Sequence, residues 1–489
     1  MVAAAWMAWW LGHNPLPDGF QNEYLHVGNA FDLWTAALRG AWWQVRLLVE
    51  GNYWPPGFYV VPMPLLWVSA LTAGTMPHAL LVAGNLAHLA VLLGAMRALG
   101  RSLNAPWAPL VLMLCPGAFG ALVRYEPNLA VLAYTAAGLA FLARSDGLQR
   151  VWPVLGWGLS LGVGLLMDRL SVGFFLGPAL LALLPRGGKV GLFHAALGVA
   201  LAITIAGPWY AWFFATSAAE LLSQAPVGEI DSAGQITTTP FPASLLYYPL
   251  ALLDSQAGPL TGIAMLVALR GPRSRERDML LVTAGLSVAF FTIIAKKQVF
   301  YTLPALVPLA VLAGRGRLAA LAVAGGLWSF LSLGLGLVPG GPWLPEAWVS
   351  PRHTLARPPQ EQSAPLTAAV EALGPVKHVL VLSEDESLYE GFVTLAVRER
   401  WMWTEARSVV TDPFGTSEKL ATVDALLWIT PTAGRWPAVR DVEAQLRSDH
   451  YALEDLPPVA NQLAAIRPDF YEVRRSRSEN MDIVVFRRR

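Results

Sequence analysis

The sequence predicts a polytopic α-helical membrane protein that carries a small soluble α/β domain at its C-terminus. Of its 489 residues, 55% are hydrophobic and only 14% are charged, whereas about a quarter of the residues of a soluble protein are charged. The apolar runs occupy residues 1 to about 338, and many have the roughly 20 residues that match a bilayer core about 30 Å thick. From about residue 340 onward the composition is that of a soluble domain.

The apolar runs divide into about eleven predicted transmembrane helices. They cover residues 1–12, 78–97, 105–122, 127–143, 151–166, 170–185, 190–213, 257–270, 278–295, 299–314 and 317–338. The first, "MVAAAWMAWWLG", has no basic residue before it and is too short to span. We therefore interpret it as the second half of a transmembrane helix and not as a signal peptide.

The basic residues predict the orientation, because they recur in every second connection. They are Arg97, Arg101, Arg144, Arg150, Arg186, Lys189, Arg270, Arg273, Arg275, Arg277, Arg315 and Arg317, opposed only by Asp146, Glu276 and Asp278. The positive-inside rule places this side in the cytoplasm. The opposite side has the long segments 13–77 and 214–256, and the second of these contains no Lys or Arg. An odd number of spans also places the C-terminal domain outside.

Two apolar pieces of the first long segment are predicted to lie in the outer membrane interface. Residues 28–48 are rich in Trp, which prefers the depth of the lipid head groups. Residues 55–74 are broken by prolines, and counting them as a span would place every later basic connection outside.

Charged residues also occur at the predicted outer membrane edge, where they are costly and usually face a polar cavity. They are Arg124 and Glu126, Asp168 and Arg169, and Lys296 and Lys297. One interpretation is that these side chains only extend to the interface and orient their helices. The other is that the arginines and lysines bind the phosphate of a lipid held at the membrane surface.

The first exterior loop offers carboxylates that could remove a proton from an acceptor. Asp18 and Glu23 are its only acids before the interfacial segment, and His26 follows Glu23 by three residues. A carboxylate beside a lipid head group can serve as a general base toward a hydroxyl or amine. A solvated loop with a helix cap at Asp18 is the alternative.

The order of these features resembles the GT-C superfamily of integral-membrane glycosyltransferases, in particular its protein O-mannosyltransferase and aminoarabinose transferase branch. Five stretches over residues 1 to about 338 carry the resemblance: "NEYLH" (22–26), "PPGFYVV" (55–61), "RYEPNLA" (124–130), "PWY" (208–210) and "KKQVFYTLPALVPLAVLAG" (296–314). The resemblance lies in the order of these five stretches along the chain and in their predicted position on the exterior side of the membrane.

The resemblance implies transfer of a sugar from a polyprenyl-phosphate donor to a lipid, glycan or protein acceptor, outside the cytoplasm and at a bacterial inner membrane. Glu23 would be the base, or Asp18, because Asn22 stands where the family has an acid. Lys296, Lys297, Arg124, Arg169 and Tyr301 would bind the donor phosphate. Glu126 and His26 would orient the acceptor or a divalent metal ion.

The sequence leaves three other functions open and offers no sign of nucleic-acid or nucleotide binding. A transporter or flippase would use the edge charges along a translocation path, yet charges within spans and internal repeats are not evident. A lipid-to-glycan ligase or polymerase of another membrane fold and a non-catalytic relative, which Asn22 would suit, are the remaining alternatives.

The C-terminal part is predicted as a Pro-rich linker, 339–365, and an α/β domain, 366–489. Strands are expected at 376–383 and 423–430, helices at 387–401 and 438–449, and a hairpin over the last twenty residues. The acidic stretch after the first strand, "SEDESLYE", is either a solvated loop or a ligand site at the end of a strand.

Overall fold

The computed structural model of this chain describes most of the helical part and the strands of the C-terminal part. The described residues are 2–13, 26, 29–30, 32–34, 36–37, 39–50, 54–61, 76–168, 171–224, 243–271, 274–293, 299–341, 343–344, 364–374, 376, 378–383, 405–408, 424–431, 470–477 and 481–488. The chain forms two compact units. The first comprises Met1–Trp9, Asn29–Ser69 and Leu80–Pro359, and the second comprises Trp10–Gly28, Ala70–Ala79 and Gln360–Arg489.

Helices account for the regular structure described before residue 360. The α-helices are α1 Val2–His13, α2 Trp42–Glu50, α3 Gly57–Val60, α4 Met76–Ser102, α5 Ala108–Met113, α6 Pro116–Leu122, α7 Asn128–Arg144, α8 Val151–Met167, α9 Ser171–Gln224, α10 Ala243–Ala251, α11 Pro259–Ala268, α12 Arg275–Ile293, α13 Leu306–Ala313 and α14 Leu318–Ser329. Three tighter or wider helical turns, Leu252–Gln256 (π), Val299–Ala305 (3₁₀) and Phe330–Gly334 (π), extend α10, α13 and α14.

Helical structure occupies all eleven predicted segments, but prolines and glycines interrupt some of them. The segment 105–122 is two helices, because Pro116 requires an extended residue before it and Cys115 has φ −73° and ψ 131°. The segments 170–185 and 190–213 are two helical stretches within Ser171–Gln224, here labelled together as α9. They are separated at Gly188, whose φ of 53° and ψ of −157° are not helical and suit glycine. Among the described residues, Val82–Ser102 and Gly187–Ala215 are long and apolar enough to cross a membrane, and several apolar helices are shorter.

Small residues bring α8 and α9 into close contact. A Cβ atom on Gly158 would stand 2.2 Å from the carbonyl oxygen of Gly198, and one on Gly162 would stand 3.0 Å from the Cα atom of Ala202. Gly158 and Gly162 form a G-x-x-x-G pattern that faces the small pair Gly198 and Ala202. Such pairs let helix backbones approach where the surroundings are as apolar as the side chains.

The connections that carry the arginines meet at one end of the helices. Arg144 Nε donates to Ser102 Oγ (3.2 Å), and Gln149 Nε2 donates to the carbonyl oxygen of Gly187 (2.8 Å). Arg275 Nη1 lies 3.7 Å from Asp146 Oδ1. These contacts join connections that the sequence places on one side of the membrane, as expected if every second connection shares a face.

The C-terminal part contains a helix, α15 Ala364–Leu373, and a five-stranded sheet. The strands are β1 His378–Ser383, β2 Glu405–Ser408, β3 Ala425–Pro431, β4 Phe470–Arg477 and β5 Met481–Arg488, in the order β2-β1-β3-β5-β4. β1 is parallel to β2 and β3, whereas β5 is antiparallel to β3 and β4. The expected strands and final hairpin are therefore present, and β2 and α15 were not expected. The predicted helices 387–401 and 438–449 lie outside the described residues.

Candidate functional site

The candidate site is built on the turn between α6 and α7, which carries Arg124 and Glu126. Both charged residues are buried, with 3% and 4% of their surface exposed. Asn128, at the start of α7, donates from Nδ2 to Glu126 Oε2 at 2.5 Å. The sequence places charged residues here at the membrane edge, and the structure shows that they turn inward among the helix ends.

Asn85 of α4 holds this turn in place. Its side chain is fully buried, and Nδ2 donates to the carbonyl oxygens of Leu122 (2.7 Å) and Arg124 (2.9 Å). Carbonyl groups at and just beyond a helix C-terminus lack partners within the helix. One amide therefore satisfies two such carbonyls and fixes the backbone that carries both Arg124 and Glu126.

Burial raises the pKa of the Glu126 carboxyl, and the nearby charge of Asp168 raises it further. The Arg124 guanidinium and the hydrogen bond from Asn128 act in the opposite direction. Asp168 ends α8 and accepts a hydrogen bond from Ser171 Oγ at the start of α9. Glu126 and Asp168 are therefore close enough for their charges to interact, and Glu126 can hold a proton at a higher pH than an ordinary glutamate can.

Aromatic residues from two other motif stretches pack around the same helix ends. The ring of Phe58, in "PPGFYVV", lies 4.7 Å from that of Tyr125 and stacks on His88 at 5.9 Å. Tyr210, in "PWY", donates from its hydroxyl to the carbonyl oxygen of Leu165 (3.1 Å), three residues before Asp168. Three of the five stretches that carried the resemblance thus meet in space. His88 lies among these rings and also contacts the ring of Tyr134.

Tyr301, which the resemblance places in the donor site, belongs to an aromatic cluster at the ends of α9 and α12. Its ring stacks on Phe291 at a centroid distance of 5.4 Å, and Phe291 in turn contacts Phe174 at 5.4 Å. The next residue, Thr302, accepts a hydrogen bond from Gln256 Nε2 (2.8 Å). These contacts hold the 3₁₀ turn that follows the predicted phosphate-binding lysines.

Several predicted site residues lie outside the described residues: Asp18, Glu23, Arg169, Lys296 and Lys297. Their roles remain predictions. His26 is described and buried, with 1% of its surface exposed, and it belongs to the second compact unit.

The described residues do not contain a group of three or more His, Cys, Asp or Glu side chains that could hold a metal ion. Glu126 and Asp168 are two carboxylates near one another, and the structure adds no third ligand from the part of the chain it describes.

Three polar residues of the site, Asn85, Asn128 and Ser171, were not predicted from the sequence. Asn85 carries a detectable signal, because an amide in the middle of an apolar helix must find hydrogen-bond partners inside the protein. Its partners are backbone carbonyl groups of a distant segment, and these have no signature in a sequence.

The solved structures that this chain resembles include two ArnT structures from Cupriavidus metallidurans. The structure bound to undecaprenyl phosphate matches with a TM-score of 0.57 and 13% identity, over 99% of this chain and 96% of ArnT. The apo structure matches with a TM-score of 0.53 and 13% identity, over 99% and 98% of the two chains. No protein-family model and no curated protein sequence matches the chain. The chain therefore shares the polytopic helical fold of these ArnT structures over nearly its whole length, in agreement with the fold that the predicted resemblance implies.

Proposed function

We propose that this chain is a membrane glycosyltransferase that moves a sugar from a polyprenyl-phosphate donor to a lipid, glycan or protein acceptor on the extracytoplasmic face. The observation that carries the proposal is the buried pair Arg124 and Glu126, held by Asn85 where three motif stretches converge. The ArnT fold supports it, because one of the matched ArnT structures is bound to undecaprenyl phosphate.

In this proposal Arg124 binds the phosphate of the donor. A guanidinium offers paired N–H groups that match phosphate oxygens, and the buried position strengthens the attraction because little water screens it. Arg169, Lys296, Lys297 and Tyr301 would complete the phosphate site at the neighbouring helix ends. Their cations would stabilise the departing lipid phosphate as its bond to the sugar breaks.

The acceptor would be activated by a carboxylate of the first exterior loop, Glu23 or Asp18, with His26 in the same loop. The base removes the proton of the acceptor hydroxyl or amine, and the acceptor oxygen or nitrogen attacks the anomeric carbon in a single displacement. Glu126 would orient the acceptor, since its carboxyl can accept or donate a hydrogen bond around its raised pKa.

The phosphate-binding role is tested by titrating the purified protein in nanodiscs with undecaprenyl phosphate and with undecaprenol, which lacks the phosphate. We expect Arg124→Gln to weaken binding of undecaprenyl phosphate at least about tenfold, which is about 1.4 kcal/mol, and to leave undecaprenol unaffected. Arg101→Gln, at an exposed arginine of the opposite end, is the matched control. Equal affinity of the wild type for the two lipids would refute the role.

Catalysis is tested separately. Mass analysis of lipid-linked glycans that accumulate in a strain lacking the gene identifies the sugar, and a transfer assay with that donor then becomes possible. We expect Glu23→Gln or Asp18→Asn to abolish transfer while undecaprenyl phosphate still binds. Full transfer by both variants would show that the base lies elsewhere, and donor movement across the membrane without transfer would favour a flippase.

A further inference from the structure

A charged cavity opens at the ends of α7 and α8 opposite to those that carry the candidate site. It has a volume of about 320 Å³ and is lined by Leu142, Ala143, Arg144, Asp146, Arg150, Leu183, Arg275, Glu276 and Met279. The three arginines come from the ends of α7 and α12 and from the residue before α8. Nothing in the proposed transfer reaction uses them.

The arginines are held in place by the fold. Arg144 Nε donates to Ser102 Oγ at 3.2 Å. The Arg275 guanidinium lies over Gly147, so close that a Cβ atom there would stand 2.1 Å from Nη2. Gly147 has a φ of 67°. The loop between α7 and α8 thus offers a backbone surface, and no side chain, beneath the guanidinium.

The lining is positive overall, with three arginines against Asp146 and Glu276. The Arg275–Asp146 pair spans 3.7 Å, and 65% of the Asp146 side chain is exposed. An exposed pair of this kind is worth little, so a stronger anion can replace Asp146 as a partner of Arg275. A phosphate suits this task because its oxygens accept paired N–H bonds from guanidinium groups.

The surroundings place this cavity at the depth of lipid head groups. Trp152, two residues after Arg150, has 79% of its surface exposed, and Leu181 on α9 has 59% exposed. An exposed Trp beside an Arg is typical of a membrane interface, with apolar side chains continuing toward the acyl chains. The distribution of basic residues predicts that this interface is the cytoplasmic one.

We propose that this cavity binds the phosphate head group of an anionic phospholipid from the cytoplasmic leaflet. Basic pockets between membrane helices on this side are typical sites for such lipids. The lipid would join the ends of α7, α8 and α12 and so stabilise the helices. The proposal does not depend on the proposed sugar transfer.

The test is native mass spectrometry and thermal unfolding of the full chain in detergent, with cardiolipin, phosphatidylcholine or inorganic phosphate added. We expect cardiolipin to bind and to raise the unfolding temperature, whereas phosphatidylcholine does not. The double variant Arg150→Gln/Arg275→Gln should bind cardiolipin at least about tenfold more weakly. The control Arg101→Gln/Arg317→Gln removes two exposed arginines that do not line the cavity and should change binding less than twofold.

A variant that binds more tightly provides a test that misfolding cannot mimic, because a misfolded protein would lose affinity. Glu276→Gln removes a negative charge from the lining and should tighten cardiolipin binding several-fold. Equal losses in the cavity and control variants would overturn the proposal, because they would indicate diffuse attraction to a basic surface. Competition by inorganic phosphate at the concentration of the lipid would overturn it as well, because the site would then bind a free anion.

Discussion

Asn85→Leu most directly tests whether the hydrogen bonds of Asn85 hold the turn at residues 123–127 in the conformation that positions Arg124 and Glu126. Leucine has the same branched arrangement of four side-chain heavy atoms as asparagine but no donor, so the carbonyl groups of Leu122 and Arg124 would lose hydrogen bonds of 2.7 and 2.9 Å. A typical intramolecular hydrogen bond contributes about 0.5–1.5 kcal/mol to stability. Loss of the two bonds therefore sets an expected decrease of about 1–3 kcal/mol in the free energy of unfolding.

Asn85→Ala refines this expectation, because it opens space in which a water molecule can bind the two carbonyls. The alanine variant should therefore be less destabilised than the leucine variant, although it removes more atoms. Loss of apolar packing would give the opposite order, so the comparison separates the two causes.

The assay combines thermal unfolding in detergent with titration of undecaprenyl phosphate. Because Asn85 fixes the backbone of Arg124, Asn85→Leu should weaken lipid binding at least about tenfold, or about 1.4 kcal/mol. Gln149→Ala is the matched control: it removes an amide-to-carbonyl bond of 2.8 Å to Gly187 at the other end of the helices. It should lower stability slightly and leave lipid affinity unchanged. Unchanged lipid affinity in Asn85→Leu would refute the reasoning.

Three further expectations follow from buried contacts. The raised pKa of Glu126 means that the folded protein favours the neutral carboxyl. The contribution of Glu126 to stability is therefore present at low pH and is lost as the pH rises through the pKa of the folded state. Glu126→Gln should remove this pH dependence from the free energy of unfolding measured against pH. Gly158→Ala should lower the free energy of unfolding by about 1–3 kcal/mol through overpacking against Gly198, whereas Gly94→Ala, with open space around it, should be neutral or stabilising. Equal effects of the two variants in thermal unfolding would contradict the close packing of α8 and α9. In the native protein the backbone N–H groups of Trp343 and Leu344 donate to Asp254 Oδ1 at 2.6 and 3.0 Å. Asp254→Ala should therefore unfold at a lower temperature than Asp254→Asn, because only the asparagine keeps an oxygen that can accept these bonds. Similar unfolding temperatures would show that the two bonds contribute little.

The sequence by itself determined the fold class and the arrangement of the connections. Apolar runs of membrane length require helices, since only a helix satisfies its own backbone in lipid. The recurrence of arginines in every second connection indicated which helix ends share a side, and the contacts of Arg144 with Ser102 and of Arg275 with Asp146 agree with that grouping. The β-branched runs of the C-terminal part likewise indicated β1, β3 and the final hairpin.

Only the tertiary structure decided what the charged residues do. Asp254 lies in the segment 214–256 that the sequence places outside the membrane, yet it is 1% exposed and accepts hydrogen bonds from two backbone amides. Arg124 and Glu126 look like edge charges, yet Asn85, about forty positions earlier in the chain, turns their backbone inward. Such roles depend on hydrogen bonds to backbone groups of distant segments, and every residue type presents the same backbone groups. A sequence can therefore mark a residue as charged, but its burial and partners follow only from how the helices pack.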